Sequence, residues 1–297
     1  MKKVLITGAL GQDGKILSQI YLRKKFKVFG IIKKKNKNCI SNVKYIYNNL
    51  SNRKKITILL KQINPNIIIH LASINNPFTK RKNEKHLINY KKNIKFSKNL
   101  INSICKSCVD CKFLFAGSSL MFGKTHREKV NENHKFNAND LYGKYKVDIF
   151  NFLKNKTINA TTLILFNHDS EHRSKEFLIP KLVRAFKNKN NSLIKKIYSL
   201  NISGDFSMAE DICYGIYKMS LCKKKIDKII LSSNKRLYIN DIIKYLEKKT
   251  KHYIPEKKIK ENRNNRKFIG SNNLAKKIIK FKSKRNLYNL VNKLLKT

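Results

Sequence analysis

The sequence predicts an α/β protein built on a doubly wound parallel sheet, with helices on both faces and a smaller C-terminal lobe. Short apolar runs alternate with amphipathic stretches through the first half of the 297 residues, the pattern of parallel strands joined by crossover helices. The early runs, such as Val4-Leu5-Ile6, are continuously apolar rather than alternating, as strands covered on both faces require. Three of the ten glycines, Gly8, Gly11 and Gly14, follow directly behind that first run.

The elements fall out in order. A strand at 4–6 enters the turn Thr7-Gly8-Ala9-Leu10-Gly11-Gln12-Asp13-Gly14, followed by a helix over 15–24. Glycines in such a turn allow positive φ, bring backbone N–H groups close to a pyrophosphate, and let helix and strand pack tightly. The phosphates would sit at the positive end of the helix dipole, so a dinucleotide site is expected at the start of the chain. Further strands are expected at 28–32, 45–47, 67–71, 113–116, 162–166 and 229–231, with helices at 54–63, 89–105 and 142–154 between them. Ligands bind beyond the carboxyl ends of strands in such sheets. The glycine turn, Lys33, Ser118 and Asn167 all follow strand ends. After Phe166 the pattern loosens, with helices expected near 181–187 and 239–249. The expected organisation is a dinucleotide-binding Rossmann domain over 1–166, regaining a strand from 207–235, and a substrate-binding lobe from 167–206 and 236–297.

Composition bounds the function. The net charge of +49 arises from 67 Lys+Arg against 18 Asp+Glu, but the lysines are spread along the whole chain, as in Lys223-Lys224-Lys225 and Lys248-Lys249. Mixed with abundant Asn and Ile, they read as compositional bias on solvated faces. Non-specific attraction to polyanions follows; a specific nucleic-acid partner is not expected. No apolar run approaches the ~20 residues of a membrane span. Met1-Lys2-Lys3 opens like a signal peptide, but the apolar run behind it stops at Thr7-Gly8, too short for export, so a cytoplasmic location is expected. Cys105-x-x-Cys108-x-x-Cys111 lacks the fourth cysteine and the closing proline of an iron–sulfur run. Buried or half-buried free thiols, without a metal, are the expectation.

Tyr142-x-x-x-Lys146 places a phenol and an ammonium on one helix face. An ammonium beside a phenol favours phenolate and would pull the tyrosine below its usual ~10, making it an acid/base for an alcohol that loses hydride to a nicotinamide. Tyr21/Lys25, Tyr214/Lys218, Tyr245/Lys249 and Tyr253/Lys257 share the spacing. Tyr142 is selected by its place at the head of the helix after the 113–116 strand and its loop, where Ser118 in Ala116-Gly117-Ser118-Ser119 offers a hydroxyl to the reacting oxygen.

The chain resembles the extended short-chain dehydrogenase/reductases and, within them, the GDP-mannose 4,6-dehydratase family. The likeness is carried by the glycine turn, by Phe29-Gly30-Ile31-Ile32-Lys33-Lys34, by Leu141-Tyr142-Gly143-Lys144-Tyr145-Lys146, and by Ile164-Leu165-Phe166-Asn167-His168-Asp169-Ser170-Glu171-His172-Arg173. The resemblance implies that Gly8, Gly11, Gln12, Asp13 and Gly14 line the pyrophosphate. It places Lys33 and Lys34 where the family keeps arginines for the 2′-phosphate of NADP. No acidic residue ends the second strand to bind a free ribose hydroxyl, which agrees with NADP over NAD. Lys146, His168 and Arg173 match cofactor-contacting positions, Ser119 and Asn167 substrate-contacting ones, and Ser118, Tyr142 and Lys146 the catalytic set. A nucleotide-sugar substrate and a homo-oligomer are implied as partners.

The departures are as informative. Where the family has a glutamate that serves as base and acid for elimination across C5 and C6, the register gives Leu120. The family's acidic residue near the adenine is Asn49, and the arginine expected before Asp205-Phe206 is Gly204. Glu128 is the nearest downstream carboxylate. Two activities therefore stay open: a 4,6-dehydration of the sugar nucleotide, or reduction or epimerisation of a 4-ketosugar, which needs only Ser118, Tyr142 and Lys146.

Overall fold

The computed structural model describes residues 1–33, 39–75, 84–255 and 267–296. Seven parallel strands form the central sheet: β1 (Lys3–Thr7), β2 (Lys27–Ile32), β3 (Val43–Tyr47), β4 (Ile67–His70), β5 (Lys112–Ala116), β6 (Ala160–Leu165) and β7 (Lys228–Leu231). Their spatial order is β3-β2-β1-β4-β5-β6-β7, and every pairing is parallel. The order reverses between β1 and β4, which opens the crevice at their carboxyl ends where such folds bind ligands. This is the Rossmann arrangement.

Strand side chains alternate between two cores. Val4 and Ile6 join Ile16, Leu17 and Ile20 of α1 (Gln12–Arg23) and Ile212 and Ile216 of α7 (Ala209–Leu221) on one face. Leu5 points to the other face, where α2 (Arg53–Ile63), α3 (Glu84–Ser107) and α4 (Leu141–Lys154) supply Ile56, Leu60, Leu100, Ile104, Tyr145 and Ile149. Phe113 and Phe115 of β5 pack into this second core. Both faces are covered, which is why the strands read as unbroken apolar runs.

A third core belongs to the C-terminal lobe. It joins α5 (Leu178–Lys187), α6 (Asn191–Ser199), α8 (Ile239–Thr250) and α10 (Leu287–Lys296) through Ile179, Leu182, Phe186, Ile194, Ile242, Leu246, Leu290 and Val291. Three short strand pairs lie between lobe and sheet: Asn167–Asp169 with Phe206–Met208, Ser203–Gly204 with Leu237–Tyr238, and Lys129–Val130 with Ile269–Gly270. One segment expected in the lobe lies elsewhere. Helix α9 (Asn273–Ile279) and Phe281 pack on the sheet face with α1 and α7: Ala275 and Ile279 join that core, and the Phe281 ring lies against Gly215, where a Cβ would come within 2.8 Å of it.

Candidate functional site

The glycine turn is built by sterics. Gly8 holds φ +72°, and its carbonyl accepts from Gly11 N–H at 3.0 Å. A Cβ at Gly14 would lie 2.4 Å from the Gly8 oxygen, and one at Gly8 would lie 3.0 Å from the Ala72 nitrogen. Only glycine lets β1, β4 and α1 meet this closely. No side chain caps the N-terminus of α1, so its first amides and its dipole can receive an anion.

The second half of the site lies where β5 ends. Lys146 of α4 reaches across to donate to the Ala116 carbonyl at 2.6 Å. Ser118 follows, in extended backbone, its hydroxyl accepting from Leu120 N–H at 3.2 Å as it caps the short 3-10 turn Ser119–Phe122. That turn lies against the head of α4: the Leu120 carbonyl comes within 2.6 Å of where a Gly143 Cβ would stand. The Lys146–Ala116 and Gly143–Leu120 contacts bracket Tyr142 and Ser118 and bring the two chain segments together. Asp140 caps α4 by accepting from Gly143 N–H at 2.8 Å. Ser119 is half-buried in the 3-10 turn, beside exposed Leu120.

The electrostatics differ from the expectation that Lys146 depresses Tyr142. The Tyr142 hydroxyl is instead held above its usual value, chiefly by burial, with a hydrogen bond to Ser73 and the Arg173 charge pulling the other way and Asp13 and Asp140 adding to the rise. The reason is that Lys146 is itself buried and has no carboxylate partner among its neighbours. Its ammonium lies 4.7 Å from the Tyr145 ring centre, 4.8 Å from that of Phe115 and 5.2 Å from that of Tyr142. Burial pushes it down to about 7, which weakens the positive charge that should favour phenolate.

A cavity of about 460 Å³ opens beside the glycine turn. Its wall includes Gly8, Gly11, Lys33, Asn49, Ser73 and Phe96. Ser73, on that wall, is also one of the groups that act on the Tyr142 hydroxyl, so the far end of the cavity lies toward the phenol. Lys33 stands at its edge with its ammonium 5.6 Å from the Phe96 ring centre; Lys34 lies outside the described residues. Asn49 accepts from the Ser51 N–H at 3.0 Å.

The remaining sequence-predicted residues fasten the loop after β6 to the glycine turn. His168 Nε2 sits 3.0 Å from Asp13 Oδ2, and its Nδ1 bonds the Phe166 carbonyl at 2.6 Å. The Asp13 carboxylate lies below its usual value because His168 and Gln12 outweigh burial, and His168 lies above its own because Asp13 does the same for it. Gln12 accepts from Ser170 N–H at 2.9 Å and donates to the His168 carbonyl at 3.2 Å. Arg173 pairs with Asp169 at 3.1 Å and lies 3.5 Å over the Phe177 ring. Asn167 donates to the Asp205 carbonyl at 3.3 Å. Beside Gly204, the buried Asp205 carboxylate accepts from Ser233, Asn234 and Gly270 N–H groups. Thus the side chains of Gln12 and Asp13 hold the loop, and the turn's backbone is left for a ligand.

Among the described residues no carboxylate takes the place that Leu120 occupies. Glu128 is exposed just before the Lys129–Val130 strand, its carbonyl accepting from Ile269 N–H, Glu132 accepts from Ile230 N–H at 2.8 Å, and Asp140 is the α4 cap. Sequence reasoning missed Ser73; its position just beyond the carboxyl end of β4 was the available signal. Of the three clustered cysteines, Cys108 and Cys111 are buried, but Cys105, expected at least half-buried, is exposed on the outer side of the end of α3. Among the described residues no group of three His, Cys, Asp or Glu side chains is placed to hold a metal ion, and no helix is long and apolar enough to cross a membrane.

The sheet order, the glycine turn and the Tyr142–Lys146 helix define an α/β protein of the extended short-chain dehydrogenase/reductase type. Residues 5–292 match the GDP-mannose 4,6 dehydratase family, and the chain belongs to that family. A GDP-mannose 4,6-dehydratase of Yersinia enterocolitica is 23% identical over 266 residues, covering 82% of this chain and 71% of that protein. The GDP-mannose 4,6 dehydratase of Cricetulus griseus is 22% identical over 284 residues, covering 84% and 72%. The crystal structure of UDP-glucuronic acid 4-epimerase from Bacillus cereus in complex with NAD shares the fold with a TM-score of 0.81 at 19% identity, covering 99% of this chain and 96% of that one.

Proposed function

We propose that the chain is a nucleotide-sugar enzyme that uses NADP to oxidise or reduce C4 of a hexose. The observation that carries this reading is the cavity that runs from the glycine turn to Ser73 beside Tyr142. A pyrophosphate suits the turn because Gly8 and Gly11 line the cavity wall and Gly11, at the N-cap of α1, brings no side-chain cap to the first amides of the helix. A bound nicotinamide dinucleotide supplies the acceptor or donor of hydride for the carbinol carbon. Tyr142 exchanges the proton of the C4 oxygen. With its pKa raised, it stands protonated at neutral pH, the form that donates in the reductive direction. Ser118 hydrogen-bonds the same oxygen. Lys146 holds the Ala116 carbonyl and, while protonated, offers positive charge beside the phenol. Lys33, at the cavity edge with no carboxylate nearby on the wall, supports NADP over NAD.

Leu120 favours the second of the two activities. Elimination of water across C5 and C6 needs a group that removes one proton and protonates the departing hydroxyl, and an isobutyl side chain does neither. The redox step alone suits a 4-ketosugar reductase or epimerase. Assays of the purified protein with GDP-mannose, and separately with GDP-4-keto-6-deoxymannose plus NADPH, test the reading. NADPH oxidation with the keto sugar supports the reductase, a 4-keto product from GDP-mannose without reductant supports the dehydratase, and silence with both counts against the function proposed.

A further inference from the structure

Beneath the site runs a chain of buried polar groups that the reaction above does not use. Thr7 Oγ1, at the end of β1 and one residue before Gly8, shares a 2.7 Å hydrogen bond with His70 Nδ1 and accepts from Ala72 N–H at 3.1 Å. His70 Nε2 shares a 2.9 Å bond with Ser97 Oγ of α3, and Ser97 Oγ shares a 3.1 Å bond with the Tyr145 hydroxyl of α4. Thr7, His70, Ser97 and Tyr145 are each no more than 1% exposed, so these bonds lie out of reach of water, where they are strong and costly to leave unmade.

We propose that His70 is a positioning residue: through Thr7 on one side and Ser97–Tyr145 on the other, it fixes the spacing between the glycine turn and the helix that carries Tyr142 and Lys146. Its ring is clamped against Phe115 and Phe113, with centroids 5.8 and 6.4 Å away, and Phe115 in turn faces the Lys146 ammonium. Burial, aided by the Lys146 charge, pushes His70 down to about 3, so the ring stays neutral across the working range. A neutral imidazole donates at one nitrogen and accepts at the other, which gives the chain one direction and makes its members interdependent. Tyr145 stands next to Lys146 and packs edge-on against Tyr142 at 6.0 Å. A ligand held at both the turn and α4 binds best when their separation is set in advance.

This inference rests on the dinucleotide reading, and the test keeps the two apart. The affinity of the purified full-length protein for NADPH is measured by fluorescence titration, alongside melting temperature, for wild type, Ser97→Ala, Ser97→Thr, Tyr145→Phe and the Ser97→Ala/Tyr145→Phe pair. Neither residue lines the cavity, and the Tyr145→Phe ring still fills its core site, so folding is kept. The expected result is a Kd raised roughly three- to tenfold in Ser97→Ala and in Tyr145→Phe, no further in the pair because one chain has been cut, and near-wild-type binding in Ser97→Thr, which retains the hydroxyl. Single variants that lose melting temperature but bind NADPH as wild type does, or losses that add in the pair, would overturn the positioning role. Wild-type protein that binds neither NADPH nor NADH would instead sink the dinucleotide reading, and this inference with it.

Discussion

Lys146 donates to the carbonyl of Ala116, the last residue of β5, at 2.6 Å. One hydrogen bond thus docks the candidate acid/base helix on the strand end that leads to Ser118. It also leaves an amine in an apolar pocket of aromatic rings, with a pKa near 7. The unfolded chain keeps this lysine protonated up to ~10.4, so between about pH 7 and 10.4 the unfolded state binds more protons and stability rises with pH; below pH 7 the penalty is present in full.

Lys146→Met should therefore raise the melting temperature at pH 6–7, with the gap closing toward pH 10, while abolishing turnover. Thermal melts across that range check the sign. A variant that melts lower than wild type at pH 6.5 contradicts the account of a costly buried amine.

Leu120 is the chemical gap in the site, and the residue is 37% exposed on a short 3-10 turn, where a carboxylate would keep contact with water. Leu120→Glu should confer or enhance formation of a 4-keto-6-deoxy product from GDP-mannose, by up to about 10²-fold, the lower range for an added acid/base group. Product analysis by NMR decides it. An unchanged product spectrum would mean that the 3-10 turn does not face C5.

Gly14→Ala drives a methyl into the Gly8 carbonyl and the Ala9 backbone, neither of which can yield without moving the turn. Destabilisation by about 1–3 kcal/mol and loss of NADPH binding are expected from denaturant titration and fluorescence. Wild-type affinity in this variant would show that the turn is not a phosphate cradle.

The His168–Asp13 pair predicts a pH-dependent contribution to stability. His168 has its folded pKa raised, so its contribution is full below ~6.5 and is lost as pH rises through the folded value. Asp13 is lowered, so its contribution is present above ~3.9 and lost as pH falls through its own folded value. His168→Gln should lower the melting temperature more at pH 6 than at pH 9; equal losses at both would mean an uncharged contact.

The sheet was legible because strands covered on both faces leave unbroken apolar runs, and the glycine turn because Gly8 and Gly14 have steric duties no other residue can perform. That Ser118 follows a strand end and that Tyr142 and Lys146 share the helix behind it was readable from their order in the chain. The electrostatics were not. Spacing places Lys146 on the face of Tyr142 but says nothing of the Phe115 and Tyr145 rings that strip its water. The segment 273–281 was read only as part of the 236–297 lobe because its few apolar residues do not tell which core they join; Ala275, Ile279 and Phe281 pack with α1 and α7. Ser73 and His70 were passed over because single polar residues at a strand end acquire meaning only from partners distant in sequence, such as Ser97 and Tyr142.

The most direct test of the central claim follows hydride itself. With NADPH deuterated at the transferring position of its nicotinamide and GDP-4-keto-6-deoxymannose as acceptor, the account predicts deuterium at C4 of the product hexose, at a rate reduced about 10²- to 10⁴-fold by Tyr142→Phe. No transfer of label to the sugar, or transfer undiminished in Tyr142→Phe, would contradict it.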